Sequence, residues 1–111
     1  MEMDEQTLNT GELFFIEVVR SFDFLRSLGY FGSKFSIYGK EQFVQFEHRK
    51  SNHIITVIML ENCQYDVYVE KRSLFNVSRI SIKDDILKTN QNITIKELSK
   101  YLQKNIHEFK E

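Results

Sequence analysis

His48 and His53 are the residues of this sequence best placed to do chemistry. They flank the 49–52 loop, and two imidazoles on neighbouring strands can hold a divalent metal, with Cys63 or Asp66 as a third ligand. Cys63, however, belongs to the turn at the far end of the strand that begins at His53. At the rise of an extended chain that is roughly 20 Å away, so the ligand set does not close. Cys63 next to a base would be a nucleophile, but no Cys-His pair stands at local spacing. Asp84 and Asp85 are adjacent, and adjacent helical residues do not share a face, so they read as caps of a helix N-terminus and not as an acid–base pair. With 4 glycines in the chain there is no phosphate-cradling loop, and zinc spacings, a nucleophile elbow and a dinucleotide fingerprint are all missing. The sequence therefore leads us to expect no catalytic residue, no metal and no cofactor.

Nucleic-acid binding would use Arg49-Lys50, Lys71-Arg72 and Arg79 on phosphates, with Tyr38, Phe43 or Tyr68 as stacking platforms. No reader motif accompanies them, and 15 basic against 16 acidic residues leave a net charge of −1, which selects neither nucleic acid nor an anionic membrane. Basic pairs at strand ends read instead as edge protection. A single cysteine excludes an internal disulfide framework and suits a reducing compartment. The opening Met-Glu-Met-Asp-Glu-Gln is acidic and has no apolar core of a signal peptide, and no apolar run approaches the ~20 residues of a membrane helix. The expected compartment is cytoplasmic.

The elements that position these residues are legible from periodicity. The 111 residues, 41% hydrophobic and 28% charged, make one domain, 1–111, with 1–8 frayed. His53–Leu60, uncharged and rich in β-branched residues, reads as a strand buried on both faces and hence central in a sheet. Asn9 and Glu12 have capping-box spacing, and Phe15, Val18, Val19, Phe22 and Leu25 mark the apolar stripe of a helix over 11–28 that ends at Gly29. Lys34–Tyr38, Gln42–His48 and Tyr65–Lys71 alternate as strands. Residues 72–80 are ambiguous: Ile80 and Ile82 could extend a strand, while Ser81 and Asp84 suggest a short helix over 82–88. Thr94 and Glu97 form a second capping box, opening a helix over 94–109 with Ile95, Leu98, Leu102 and Ile106 on one face. The fold class is α+β: a two-layer, four-stranded antiparallel meander with the N-terminal and C-terminal helices packed on one face.

Loop length sets which side chains those helices cover. A three-residue loop opposing His48 to Asn52 brings Val44 and Phe46 beside Ile54 and Ile58. A tight Asn62-Cys63 turn pairs Leu60 with Tyr65 and Ile58 with Val67. The helices then cover Ile54, Ile58, Leu60, Tyr65, Val67 and Val69. Ile55, Val57 and Met59 lie on the opposite face beside Tyr68, with Asp66 and Glu70 at its margin. An apolar centre with a charged rim has the composition of a protein-binding patch, so these six residues are the expected partner surface. Two arrangements compete with it: a homodimer through the same face, or coverage by 72–80 or 82–88.

The order helix, meander, short acidic-capped helix and C-terminal helix is carried by Phe22–Tyr30, Gln42–Glu47, His53–Leu60 and Ser81–Leu87. It resembles the small bacterial immunity-type proteins that neutralise polymorphic or contact-delivered toxins. The resemblance is one of pattern and size over most of the chain. It implies a non-catalytic inhibitor that binds one cognate toxin through a variable surface, and it carries over no site residues. The near-neutral charge departs from the acidic immunity proteins that face nucleases. The alternative is a small nucleic-acid- or ligand-binding accessory protein.

Overall fold

The computed structural model describes residues 2–60, 64–89 and 91–109. Five strands lie side by side in sequence order, each antiparallel to the next: β1 (Tyr30–Tyr38), β2 (Glu41–His48), β3 (His53–Met59), β4 (Tyr65–Arg72) and β5 (Val77–Ser81). Helices α1 (Glu2–Ser21) and α2 (Phe24–Ser27) precede the sheet. A π-helical segment, Ile82–Leu87, then α3 (Ile95–Asn105) and a 3-10 turn, Ile106–Phe109, follow it. The architecture is α+β with an antiparallel sheet, but the meander has five strands and not four. The additional strand is β5, which hydrogen-bonds along β4 from Val77 opposite Arg72 to Ser81 opposite Tyr68. It sits at the sheet edge with one neighbour and little to bury, so the apolar alternation that marks an inner strand is missing from it.

The N-terminal helix also differs from its expected form. It is helical from Glu2, so Asn9 lies inside it and does not cap it, and residues 2–8 belong to the helix. The helix then stops at Ser21. The last regular bond runs from the Phe22 amide to the Val18 carbonyl, after which Leu25, Arg26 and Leu28 each bond three residues back. This tightening breaks the 11–28 stretch into α1 and the single turn of α2.

The core lies between helices and sheet. Phe14, Val18 and Phe22 of the first helical stretch, Leu25 of α2 and Ile95, Leu98 and Leu102 of α3 form one buried cluster with Val44, Phe46, Ile55, Val57, Val67 and Val69. Each such side chain, fully buried, contributes roughly 1.5–3 kcal/mol. α3 begins where its capping box requires: the Thr94 hydroxyl accepts the Glu97 amide, and the Glu97 carboxylate accepts the Thr94 amide. Those backbone and hydroxyl contacts from Thr94 hold the Glu97 carboxyl below its ordinary pKa. The Ser99 hydroxyl donates to the Ser21 carbonyl, tying α3 to the exposed carbonyl end of α1. Among the described residues, no helix is long and apolar enough to cross a membrane.

Gly29 joins the helical half to the sheet. Its φ of +97° is one that L side chains rarely adopt, and a Cβ there would stand 2.8 Å from the His48 ring nitrogen Nε2. Gly29→Ala is expected to lower stability by about 2 kcal/mol or more, through left-handed strain plus displacement of His48. Urea denaturation of the variant beside the native chain measures this; an unchanged midpoint would mean that the junction is not fixed.

Candidate binding surface

Register decides which residues face away from the helices. β2 and β3 pair Phe46 with Ile55 and Val44 with Val57, so the loop between them is the four-residue one. β3 and β4 pair Met59 with Tyr65, Val57 with Val67 and Ile55 with Val69. Each pairing differs by one residue from the expected one, and one residue exchanges the two faces of a strand. Ile55, Val57 and Met59 therefore lie in the helix-covered core and are corrected from partner surface to core. The even-numbered half of β4 keeps its expected side. Tyr68, Asp66 and Glu70 lie on the opposite face, together with Ile54, Thr56 and Ile58 of β3 and Phe43, Gln45 and Glu47 of β2.

The closing of each loop shows why the register falls this way. The His48 Nδ1 accepts the amides of Lys50 and Ser51 at 3.2 and 3.1 Å, so the imidazole itself shapes the 49–52 turn. A nitrogen that accepts two N–H groups carries no proton, which leaves the proton of the neutral ring on Nε2, 3.1 Å from the Leu28 carbonyl that accepts it. At the other end of β3, the Leu60 amide bonds to the Gln64 carbonyl at 2.7 Å, which brings the start of β4 beside the end of β3. Cys63, which the sequence offers as a nucleophile or ligand, lies outside the described residues.

The open face needs no second layer of helices. Ile54 and Ile58 keep only 7% and 2% of their surface, covered from either side by the longer side chains of β2 and β4. Gln45 donates to the Thr56 hydroxyl at 3.3 Å across the strand pair. Tyr68 lies half-buried with the Arg79 guanidinium 4.8 Å from its ring centroid. Burial, with Asp66, Glu41 and Asp84 nearby, holds the Tyr68 hydroxyl above its ordinary pKa, against the opposing pull of Arg79.

Asp66 is a fold-holding residue, not a rim charge. It is buried, and its carboxylate accepts the Ser81 hydroxyl at 2.5 Å and the Lys83 amide at 2.9 Å. The Ser81 hydroxyl in turn accepts the Asp84 amide at 2.9 Å, and the Asp85 carboxylate accepts the Ser81 amide at 2.8 Å. This is a capping box with its acid one residue later than usual, in keeping with the wider turn of a π-helix. Of the Asp84-Asp85 pair, the Asp85 carboxylate thus caps the segment, while Asp84 offers its backbone amide to Ser81.

The histidines do different work. Both His48 nitrogens are engaged within the chain, as described, while buried His53 offers Nδ1 to the Ser51 hydroxyl at 3.2 Å and its Nε2 has no partner among the described residues. Among the described residues, no three His, Cys, Asp or Glu side chains gather as metal ligands.

The outer hairpin carries a feature that periodicity missed. At the tip between β4 and β5, Leu74 and Phe75 are 87% and 89% exposed, and Val77 beside them is exposed as well. The Ser73 and Asn76 backbones close the turn at 2.7 Å, leaving the two apolar side chains outside it. The signal was available: two large apolar residues in a polar segment that fits no period. By register Val77 and Arg79 share the side of Tyr68 and Glu70, so the tip continues the open face. Comparison with protein-family models, with curated proteins and with solved structures gives no match. The surface must therefore be argued on its own geometry.

Two predictions follow from the polar groups. Asp66→Ala removes acceptors from the Ser81 hydroxyl and the Lys83 amide and is expected to cost about 3 kcal/mol; denaturant unfolding measures it, and a loss under 1 kcal/mol would remove Asp66 from the fold-holding set. Burial, then Lys71, then His48 lower the His53 pKa from its ordinary 6.5. As pH falls below that value the unfolded chain binds a proton that the folded chain resists, so stability present above it is lost as pH drops through the folded-state pKa. Urea midpoints from pH 7.5 to 5 should fall in the native chain and fall less in His53→Gln.

Proposed function

We propose that this chain is a non-catalytic protein-binding module of the immunity type, with its partner held on the open sheet face and the tip of the β4–β5 hairpin. The observation that carries this reading is the near-complete exposure of Leu74 and Phe75 on a turn closed by its own backbone. Neither side chain contributes to the core, and both lower solubility, so their presence is accounted for by a surface that covers them in a complex. Tyr68 and Arg79 extend the patch with residue types enriched among binding hot spots, and Glu70 lies on the same side at its margin. The partner surface proposed here thus keeps Tyr68 and Glu70 of the sequence expectation, replaces Ile55, Val57 and Met59 by Leu74, Phe75 and Val77, and gives Asp66 a supporting role. A toxin as the partner rests on the sequence-pattern resemblance, and a cytoplasmic setting on the reading of the single cysteine.

The test uses the product of the reading frame adjacent to this one as the analyte. The native chain should bind it and protect a host cell from it on co-expression. Leu74→Ser/Phe75→Ser should weaken binding at least tenfold, and Tyr68→Ala by about 1–2 kcal/mol, while the exposed pair leaves stability within about 0.5 kcal/mol of native. Equal binding by the double variant, or hydrogen-exchange protection confined to the helical side, would overturn the assigned surface. Concentration-dependent sedimentation abolished by the same double variant would assign the patch to self-association instead.

A further inference from the structure

On the other side of the molecule, where α1 gives way to α2 and β1 begins, lies a cleft of about 380 Å³. Its position follows from three backbone features. The helix breaks after Ser21, Gly29 turns the chain at positive φ, and the β1–β2 ladder loses register between Phe31 and Lys34. Gly32 sits in that bulge at φ +70°, and a Cβ there would meet nothing within 4 Å. The bulge displaces the start of β1 from its neighbours and leaves concave space where a regular strand would have packed.

The chemistry of the lining is asymmetric. Buried Phe22, Tyr30 and Phe46 make the floor, with Phe22 and Phe46 stacked at 6.4 Å between ring centroids. Phe31 and Val19 contribute apolar walls. Arg26 and Arg49 are the cations of the cleft, and Asp23 is its one acid. Arg49 is held in place without neutralisation: its amide bonds to the Gly29 carbonyl at 2.9 Å, its guanidinium lies 5.0 Å from the Phe31 ring centroid, and no described carboxylate pairs with it. Arg26 meets Asp23 through Nε at 3.6 Å, and both side chains of the pair are exposed. A guanidinium over an aromatic ring stays fully charged and keeps its in-plane donors for a second, bidentate contact.

We propose that this cleft binds a small planar aromatic anion, its ring seated against Phe31 and Val19 over Phe46 and its carboxylate or phosphate held by Arg26 and Arg49. The volume lies in the range of small-molecule sites, and the lining sets the apolar walls of Val19 and Phe31 beside two convergent cations. The carboxylate and the phosphate ester share this chemistry, and the choice between them is left to the arms of the experiment. The site is separate from the protein-binding surface, so its failure leaves that reading standing.

Titration of the isotope-labelled full chain, followed by amide chemical shifts, tests it with four probes: 4-hydroxybenzoate, adenosine 5′-monophosphate, and the neutral benzyl alcohol and adenosine. The expected result is saturable shifts at Val19, Arg26, Gly32 and Arg49 with one or both anions, at least tenfold tighter than with the neutral counterpart. Arg49→Gln and Arg26→Gln should each weaken the anion at least fivefold. Val19→Phe, which fills the cleft without changing charge, should abolish binding, and retention of native amide dispersion in each variant shows that it is folded. A response to 4-hydroxybenzoate alone assigns a carboxylate ligand, and a response to the nucleotide alone a phosphate ester. No saturable shift at these residues up to 10 mM of either anion (about 3 kcal/mol of binding at most), equal binding of neutral probes, or unchanged binding in the arginine variants would overturn the site.

Discussion

A strand that is apolar on both sides must be covered twice, and β3 is covered in two unlike ways. Its odd-numbered residues, Ile55 and Val57 above all, meet the side chains of α1 and α3. Its even-numbered residues, Ile54, Thr56 and Ile58, are closed over by their neighbours within the sheet. The cover comes from the larger neighbours Phe43, Gln45 and Glu47 of β2 and Tyr68 and Glu70 of β4, while Asp66 is itself buried and bonded to Ser81 and Lys83. A single helical layer is thus enough for the domain. The polar ends of those covering side chains are left facing outward, which is how a strand with no charge comes to underlie a polar surface.

Legibility in the sequence followed the same physics. α3 was readable because its capping box and its apolar stripe agree, and the structure places both where the spacing puts them. The even-numbered half of β4 was readable because Asp66, Tyr68 and Glu70 differ in polarity from Val67 and Val69. β3 itself was not, because a strand apolar on both sides gives the same pattern in either register. Its facing depends on two loops, one shaped by a histidine accepting backbone amides and the other spanning residues whose types do not specify a length. β5 was missed since an edge strand buries little. The break between α1 and α2 was hidden because Phe22 and Leu25 stay on the buried side through it. For the candidate surface, Tyr68 could be placed from alternation alone, while Leu74 and Phe75 show their meaning only once the turn is seen to close without them.

His48 is the residue through which the helical half and the sheet are held in a fixed relation. It accepts two amides of the loop after it, donates to the carbonyl at the end of α2, and receives the Tyr30 ring edge-on at 4.8 Å. Gly29 is small because His48 occupies the space beside it. The same junction sets the start of β1 and hence the mouth of the aromatic cleft. One side chain therefore links the loop parity that orients β3 to the concavity on the opposite side of the molecule.

The strict sequence order of the strands has a consequence for how the chain comes together. Each strand finds its partner across a short turn, so the sheet is assembled from neighbouring segments at small loop-closure cost. The helical cover is different in kind: the Ser99–Ser21 hydrogen bond joins residues 78 apart. Hairpins are thereby expected to form before α3 docks onto α1. Mutational φ-values near zero along α3 and higher in the β2–β3 and β3–β4 hairpins would be the kinetic mark of that order, and the reverse pattern would refute it.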